Sequence, residues 1–158
     1  MKLSTRGRYG TRLMLELAKN YGKGPISMSD ISKNLNIPIK YLEQLIIPLK
    51  KAELINSVRG PKGGHMLSNS PEKIYLWNIL TLLETKFSFV DCLTDANACE
   101  NTATCPIRPI WGKAFNGMTK LFKETSLKDV LTSFEDHQKK EKLKSTQVLS
   151  QSRFERIP

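Results

Sequence analysis

ISMSDISKNLNIPIKYLEQLIIPLKK, residues 26–51, reads as two short helices joined by a sharp corner. Ser27 and Asp30 form an S-x-x-D capping pattern ahead of Ile31 and Leu35, which predicts a helix over about 28–35. Asn36 marks the corner, because asparagine tolerates left-handed backbone. Pro38 suits the first turn of the next helix, whose inner face is Leu42, Leu45 and Leu49 with Ile46 alongside. Lys40, Glu43, Gln44, Ile47 and Lys51 occupy the opposite face. Such a pair, with polar and basic residues outward on its second helix, is the helix-turn-helix arrangement that lays that helix in the major groove of DNA. Pro48 fits this pattern least, since it removes one intrahelical hydrogen bond and is expected to bend the helix.

Upstream, Tyr9, Leu13, Leu17 and Tyr21 repeat every four residues with Met14 and Ala18 beside them, predicting an amphipathic helix over about 9–21 that Gly22, Gly24 and Pro25 end. Downstream, LINSVRGPKGGHMLSNS (54–70) places RGPKGG between two short apolar stretches, which predicts a β-hairpin wing with its turn at Gly60, Gly63 and Gly64. Arg59 and Lys62 at the tip suit the negative potential of a minor groove. Ser70, Pro71 and Glu72 begin a further helix, with Ile74, Trp77, Leu80 and Leu83 continuing to about Glu84.

The charge agrees with a DNA-binding first half. Residues 1–67 carry 12 Lys/Arg against 4 Asp/Glu, a net +8, out of +10 for the 158-residue chain. A localised basic excess suits a polyanion, because neutralising phosphates releases condensed counterions. No apolar run approaches the roughly 20 residues that span a bilayer, and no leader pattern opens the chain, so the expected location is the cytoplasm.

Beyond the wing unit lie the only cysteines, Cys92, Cys99 and Cys105, in a segment (DCLTDANACENTATCP) too polar for a core. Their C-x6-C-x5-C spacing lacks the close C-x-x-C pair of structural zinc sites, and an odd count in a reducing compartment disfavours a disulfide framework. Soft thiolates suit an iron–sulfur cluster; zinc, a thiol redox switch and inert cysteines are the alternatives. His65 and His137 are distant in sequence from the three. No Ser/His/Asp set or phosphate loop stands out, so no catalysis and no small-molecule substrate is expected.

Ile110, Trp111, Ala114, Phe115, Met118, Leu121 and Phe122 then form a stripe on a helix over about 108–123, broader than one small core requires. That surplus predicts a homodimer, with Trp111, Phe115, Met118 and Phe122 at the interface, as two helix-turn-helix units reading a two-fold operator would need. Burial of the stripe against its own domain is the alternative. Ser126 and Asp129 cap a last short helix with Leu127, Val130, Leu131 and Phe134. From Asp136 the composition is polar and charged, and reads as mostly disordered. The expected fold is mainly α: a winged helix-turn-helix domain with a small β-hairpin wing (1–84), a cysteine-rich loop (85–107), a long C-terminal dimerisation helix with a short capping helix (108–134), and a basic tail (135–158).

The opening MKLSTRGRYGTRLMLELAKNYG, the block IKYLEQLIIPLKKAELINSVRGPKGG and the three-cysteine loop together resemble the IscR/NsrR/RirA family of winged-helix iron–sulfur transcription regulators, over about residues 1–134. The resemblance implies a homodimer paired through its long helix, bound to a double-stranded DNA operator, with a 2Fe–2S or 4Fe–4S cluster on the cysteines. By matching position it implies DNA contacts from Tyr41, Glu43, Gln44 and Arg59, to which Lys40 and Lys62 are added as phosphate-binding cations. The chemistry is compatible: Gln bonds an adenine edge bidentately, Glu accepts from cytosine N4, and Lys40 or Tyr41 holds a phosphate. A core role for Tyr41 is the alternative. The chain departs from its relatives at the fourth ligand: Arg108 stands where one branch has His, and Arg8 where another has Asp. Asp91, Asp95, Glu100, a partner-subunit residue, a small thiol or water remain as candidates. Two other readings stay open: a regulator without a cluster, controlled by a thiol switch or a partner protein, and an architectural nucleic-acid binder.

Overall fold

The structure, a computed structural model, describes residues 3–85, 87–88 and 90–137. Helix α1 spans Thr5–Lys19 and buries Leu13, Met14, Leu17 and Ala18. It starts earlier than the Tyr9 periodicity suggested because Ser4 caps it, accepting the Gly7 N–H at 3.0 Å on its hydroxyl. It also stops before Tyr21, which is 47% exposed rather than on the inner face. Helix α2, Met28–Leu35, has the expected cap: Ser27 Oγ accepts from Asp30 N at 3.1 Å, and Asn36 ends the helix in the left-handed region with φ 53°.

Helix α3, Ile39–Lys51, follows Pro38, which stands just ahead of the first turn as the cap residue. Leu42, Leu45, Ile46 and Leu49 are buried against α1, α2 and α4. The helix runs through Pro48 to Lys51, and the Ala52 N–H closes back on the Pro48 carbonyl at 3.0 Å. Strands β1, Ile55–Val58, and β2, Gly64–Leu67, pair antiparallel with Ile55 opposite Leu67 and Val58 opposite Gly64. Ile26 joins the hairpin's edge by two backbone hydrogen bonds to His65, at 2.9 and 2.8 Å. Gly64 permits this approach, since a Cβ there would overlap the Ile26 carbonyl.

The single helix expected over 70–84 is divided. Pro71–Lys73 form one 3-10 turn, Ile74 and Tyr75 are extended, and α4 begins at Leu76 and ends at Leu83. Tertiary pairing overrides the helical pattern here: the Leu76 N–H donates to the Thr125 carbonyl at 3.0 Å and the Leu127 N–H to the Ile74 carbonyl at 2.8 Å. The inner residues of α4 are accordingly Ile79, Leu80 and Leu83, while Trp77 lies edge-on to Phe87 with ring centroids 5.1 Å apart.

Two 3-10 turns, Asp91–Leu93 and Ala96–Ala98, punctuate the cysteine loop, and α5 follows over Arg108–Glu124. The Ser126–Asp129 capping box is formed by three hydrogen bonds of 2.6–3.2 Å. It starts α6, helical over 127–137, so residues 135–137, expected in the disordered tail, continue the helix. The remainder of that tail, 138–158, lies outside the described residues. The core is one cluster drawn from α1, α2, α3, the wing, α4 and Leu127. The result is mainly helical, a helix-turn-helix with a two-stranded wing and a long helix appended.

Candidate nucleic-acid interface and cysteine loop

On α3 the buried positions recur at three and four residues, which leaves Lys40, Glu43, Gln44, Ile47, Lys50 and Lys51 exposed on the opposite arc. Lys40, Glu43 and Gln44 thus occupy the first turns of a helix whose outward side is open. Tyr41 is different. Its ring is half-buried and packs edge-on against Tyr9 at 5.7 Å and 87°, so the ring closes the edge of the core. Arg59 and Lys62 are exposed at the wing tip. Gly60, with φ 115°, takes a backbone conformation that L side chains rarely adopt, and the Gly63 N–H closes the turn on its carbonyl at 2.9 Å.

His65, on β2 opposite Ser57 and one pair in from the wing turn, places Nδ1 3.1 Å from the Ser57 hydroxyl. Burial first, and then the Lys50 ammonium, lowers its pKa below the ordinary 6.5, because both disfavour the imidazolium.

Cys92 and Cys105 are half-buried and Cys99 is exposed, all as free thiols. The loop's first turn is fastened to α5: Arg108 Nε donates to the Cys92 carbonyl at 3.1 Å, and Leu93 lies over Gly112. Arg108 therefore meets the loop through a backbone oxygen. As donors, three soft thiolates fit an iron–sulfur cluster. As arranged, they do not converge: among the described residues no three His, Cys, Asp or Glu side chains are grouped closely enough to hold a metal ion. Of the candidates for a fourth ligand, Asp91 and Asp95 line one cleft of about 470 Å³ beside the loop, with Thr85, Ser88 and Thr94. Arg8 is exposed on α1, bonded to Thr5 Oγ1 at 3.3 Å.

The apolar residues of α5 divide between two faces. Phe115 and Phe122 meet Phe87 of the same chain, with ring centroids 6.2 and 6.0 Å apart. Met118 is half-buried, and Trp111 is 38% exposed. A second stripe, Ile107, Ile110, Ala114, Gly117 and Leu121, is exposed along its whole length, with Leu121 at 61%. Trp111, Phe115, Met118 and Phe122, the residues expected at a dimer interface, lie on the first face; the second face is the more open.

Two contacts went unseen in the sequence. Glu84, at the end of α4, accepts from both the N–H and the hydroxyl of Ser4. Gly7 and Gly10 let α1 approach α4, since a Cβ at either would overlap the Glu84 or the Leu83 side chain. The only local signal was the i, i+3 glycine pair on one helix face.

The family model Rrf2, described as iron-dependent transcriptional regulator, matches residues 3–133. The HTH-type transcriptional regulator CymR of Bacillus subtilis strain 168 is 38% identical over 136 residues, covering 86% of this chain and 93% of that protein. The solved structure of B. subtilis CymR, the global cysteine regulator, aligns with TM-score 0.72 at 36% identity, covering 84% of this chain and 98% of its own. That of IscR from T. potens aligns with TM-score 0.69 at 34% identity, covering 87% and 91%.

Proposed function

Since the chain belongs to the Rrf2 family of transcriptional regulators, and is thus a DNA-binding regulator and not an enzyme, we propose that it reads a two-fold operator as a homodimer under control of its cysteine loop. What supports the DNA contacts is the open arc of α3, with Lys40, Glu43 and Gln44 outward and Arg59 and Lys62 at the adjoining wing tip. Gln44 offers a donor and an acceptor to adenine, Glu43 an acceptor to cytosine N4, and the cations neutralise phosphates. Tyr41 contributes its phenolic edge only, the ring being engaged with Tyr9.

The homodimer pairs α5 with its copy through the exposed Ile107, Ile110, Ala114, Gly117 and Leu121 stripe, with Trp111 at its margin. Small residues at 114 and 117 permit close helix approach, while Phe115 and Phe122 hold α5 to its own domain. The reading places the protein in the cytoplasm, and no described helix is long and apolar enough to cross a membrane.

Cys92, Cys99 and Cys105 are the residues that would hold an iron–sulfur cluster, 2Fe–2S or 4Fe–4S, which when bound supplies labile, redox-sensitive ligation. Closing the loop on it requires the three thiols to move together. Arg108 would pass that movement to α5, because its side chain leaves the helix's first turn and ends on the Cys92 carbonyl. A second reading keeps the same lever and replaces the cluster by thiol oxidation. It is favoured by the unconverged thiols and by the likeness to a global cysteine regulator.

Anaerobic purification followed by a visible spectrum, iron and sulfide assay, and footprinting before and after cluster removal tests the proposal. A coloured protein whose footprint or affinity changes on removal supports cluster control. A colourless protein whose DNA binding changes on mild oxidation supports the thiol switch. Identical binding in every state would sink control by the loop.

A further inference from the structure

Ile47 lies in the middle of the outward arc of α3, one helical turn beyond Glu43 and Gln44, and is 67% exposed. At 3.6 residues per turn it projects about 40° from Glu43 and about 60° from Gln44, between the two. Every other exposed residue from Lys40 to Lys51 is charged or an amide. The inner face is already complete with Leu42, Leu45, Ile46 and Leu49, so the core does not require an isoleucine at 47.

On the major-groove edge of B-DNA one feature is apolar, the C5-methyl group of thymine. We infer that Ile47 is a specificity-determining residue that reads a thymine methyl. The inference rests on the DNA-binding reading above and deepens it. It also fixes where the thymine stands. Gln44 matches an adenine edge, and Ile47 follows three residues later, about 4.5 Å along the helix axis. One base-pair step is about 3.4 Å. The thymine therefore belongs to the base pair next to the one that Gln44 reads, so each half-site carries an A·T pair under Gln44 flanked by a pair whose thymine methyl faces Ile47.

The test uses the full-length protein and an operator that it selects from random duplex DNA. Each thymine of one half-site is replaced singly by deoxyuridine, which removes the methyl group and nothing else, and binding is measured for the unaltered protein and for Ile47→Ala. One thymine, adjacent to the base at which Gln44→Ala loses preference, is expected to weaken binding about fourfold when demethylated, the effect of one lost methyl contact. In Ile47→Ala that position becomes insensitive. No methyl-sensitive thymine with the unaltered protein overturns the inference without need of any variant. A sensitivity that persists in Ile47→Ala overturns it as well, and marks Ile47 as an ordinary exposed side chain. Enrichment of no sequence at all would instead sink the operator-binding reading and this inference together.

Discussion

The Glu84 carboxylate grips Ser4 twice, taking its backbone N–H at 3.0 Å and its hydroxyl at 2.9 Å across 80 residues of sequence. The first turn of α1 is thereby closed onto the end of α4, with Gly7 leaving room for the carboxylate. Glu84→Ala strips an acceptor from a partly buried N–H and is expected to cost about 1–3 kcal/mol. Glu84→Gln keeps an oxygen acceptor and should cost less. Gly7→Ala should destabilise through the clash. Urea unfolding measures all three, and unchanged midpoints would show that the staple contributes nothing.

Arg59→Ala should weaken operator binding broadly, whereas Gln44→Ala should relax base preference by about 1–3 kcal/mol at one position. Titrations on the operator and on single-base variants separate these two effects. Equal losses on every sequence for Gln44→Ala would remove it from base recognition.

The helix-turn-helix and the wing were legible because each of their signals is local. Ser27, Asp30 and Asn36 act within one turn of their own positions, and the RGPKGG glycines set their own backbone. The apolar spacing over 70–84 suits one helix, but Ile74 and Leu76 bond to the distant Leu127 and Thr125, and no periodicity records that. For the candidate site, exposure of Lys40, Glu43 and Gln44 followed from the helical period. The division of the α5 stripe into a face on Phe87 and an open face did not, since both faces are apolar and differ only in what stands opposite them.

Arg108→Ala removes the charged donor on the Cys92 carbonyl. Hydrogen bonds to charged groups are worth about 1.5–3 kcal/mol, and that much local stability should disappear from the loop. Faster amide exchange over 91–99 and faster alkylation of Cys92, with global unfolding little changed, are the expected results. Unaltered exchange in the loop would mean that the bond does not order it.

On α5, Ile110→Glu and Leu121→Glu place carboxylates on the exposed stripe and should yield monomers in sedimentation, with operator affinity reduced at least about tenfold through loss of the second half-site. Phe122→Ala should instead lower the stability of each protomer, by about 1–3 kcal/mol for a half-buried ring. Dimers that survive both Glu substitutions would assign the interface elsewhere.

The lowered pKa of His65 means that the folded wing binds a proton less readily than the unfolded chain does. The stability that this confers is complete above about pH 6.5 and is lost as pH falls through the lower folded value. Between pH 7 and 5 the protein should therefore lose more stability than His65→Gln does, as urea unfolding at each pH would reveal. Parallel profiles would place the acid sensitivity in other groups.

Helix α5 is secured near both ends, by Arg108 on the Cys92 carbonyl at the first turn and by the 74–76 pairing with 125–127 just past the last. A rod pinned at two supports does not swing. What remains is a small turn about its own axis against the Phe87 packing, and in the proposed homodimer two such rods in contact across a two-fold axis would turn together like meshed gears. Under the proposed control by the cysteine loop, a change there would reach the DNA-reading helices as torsion about α5.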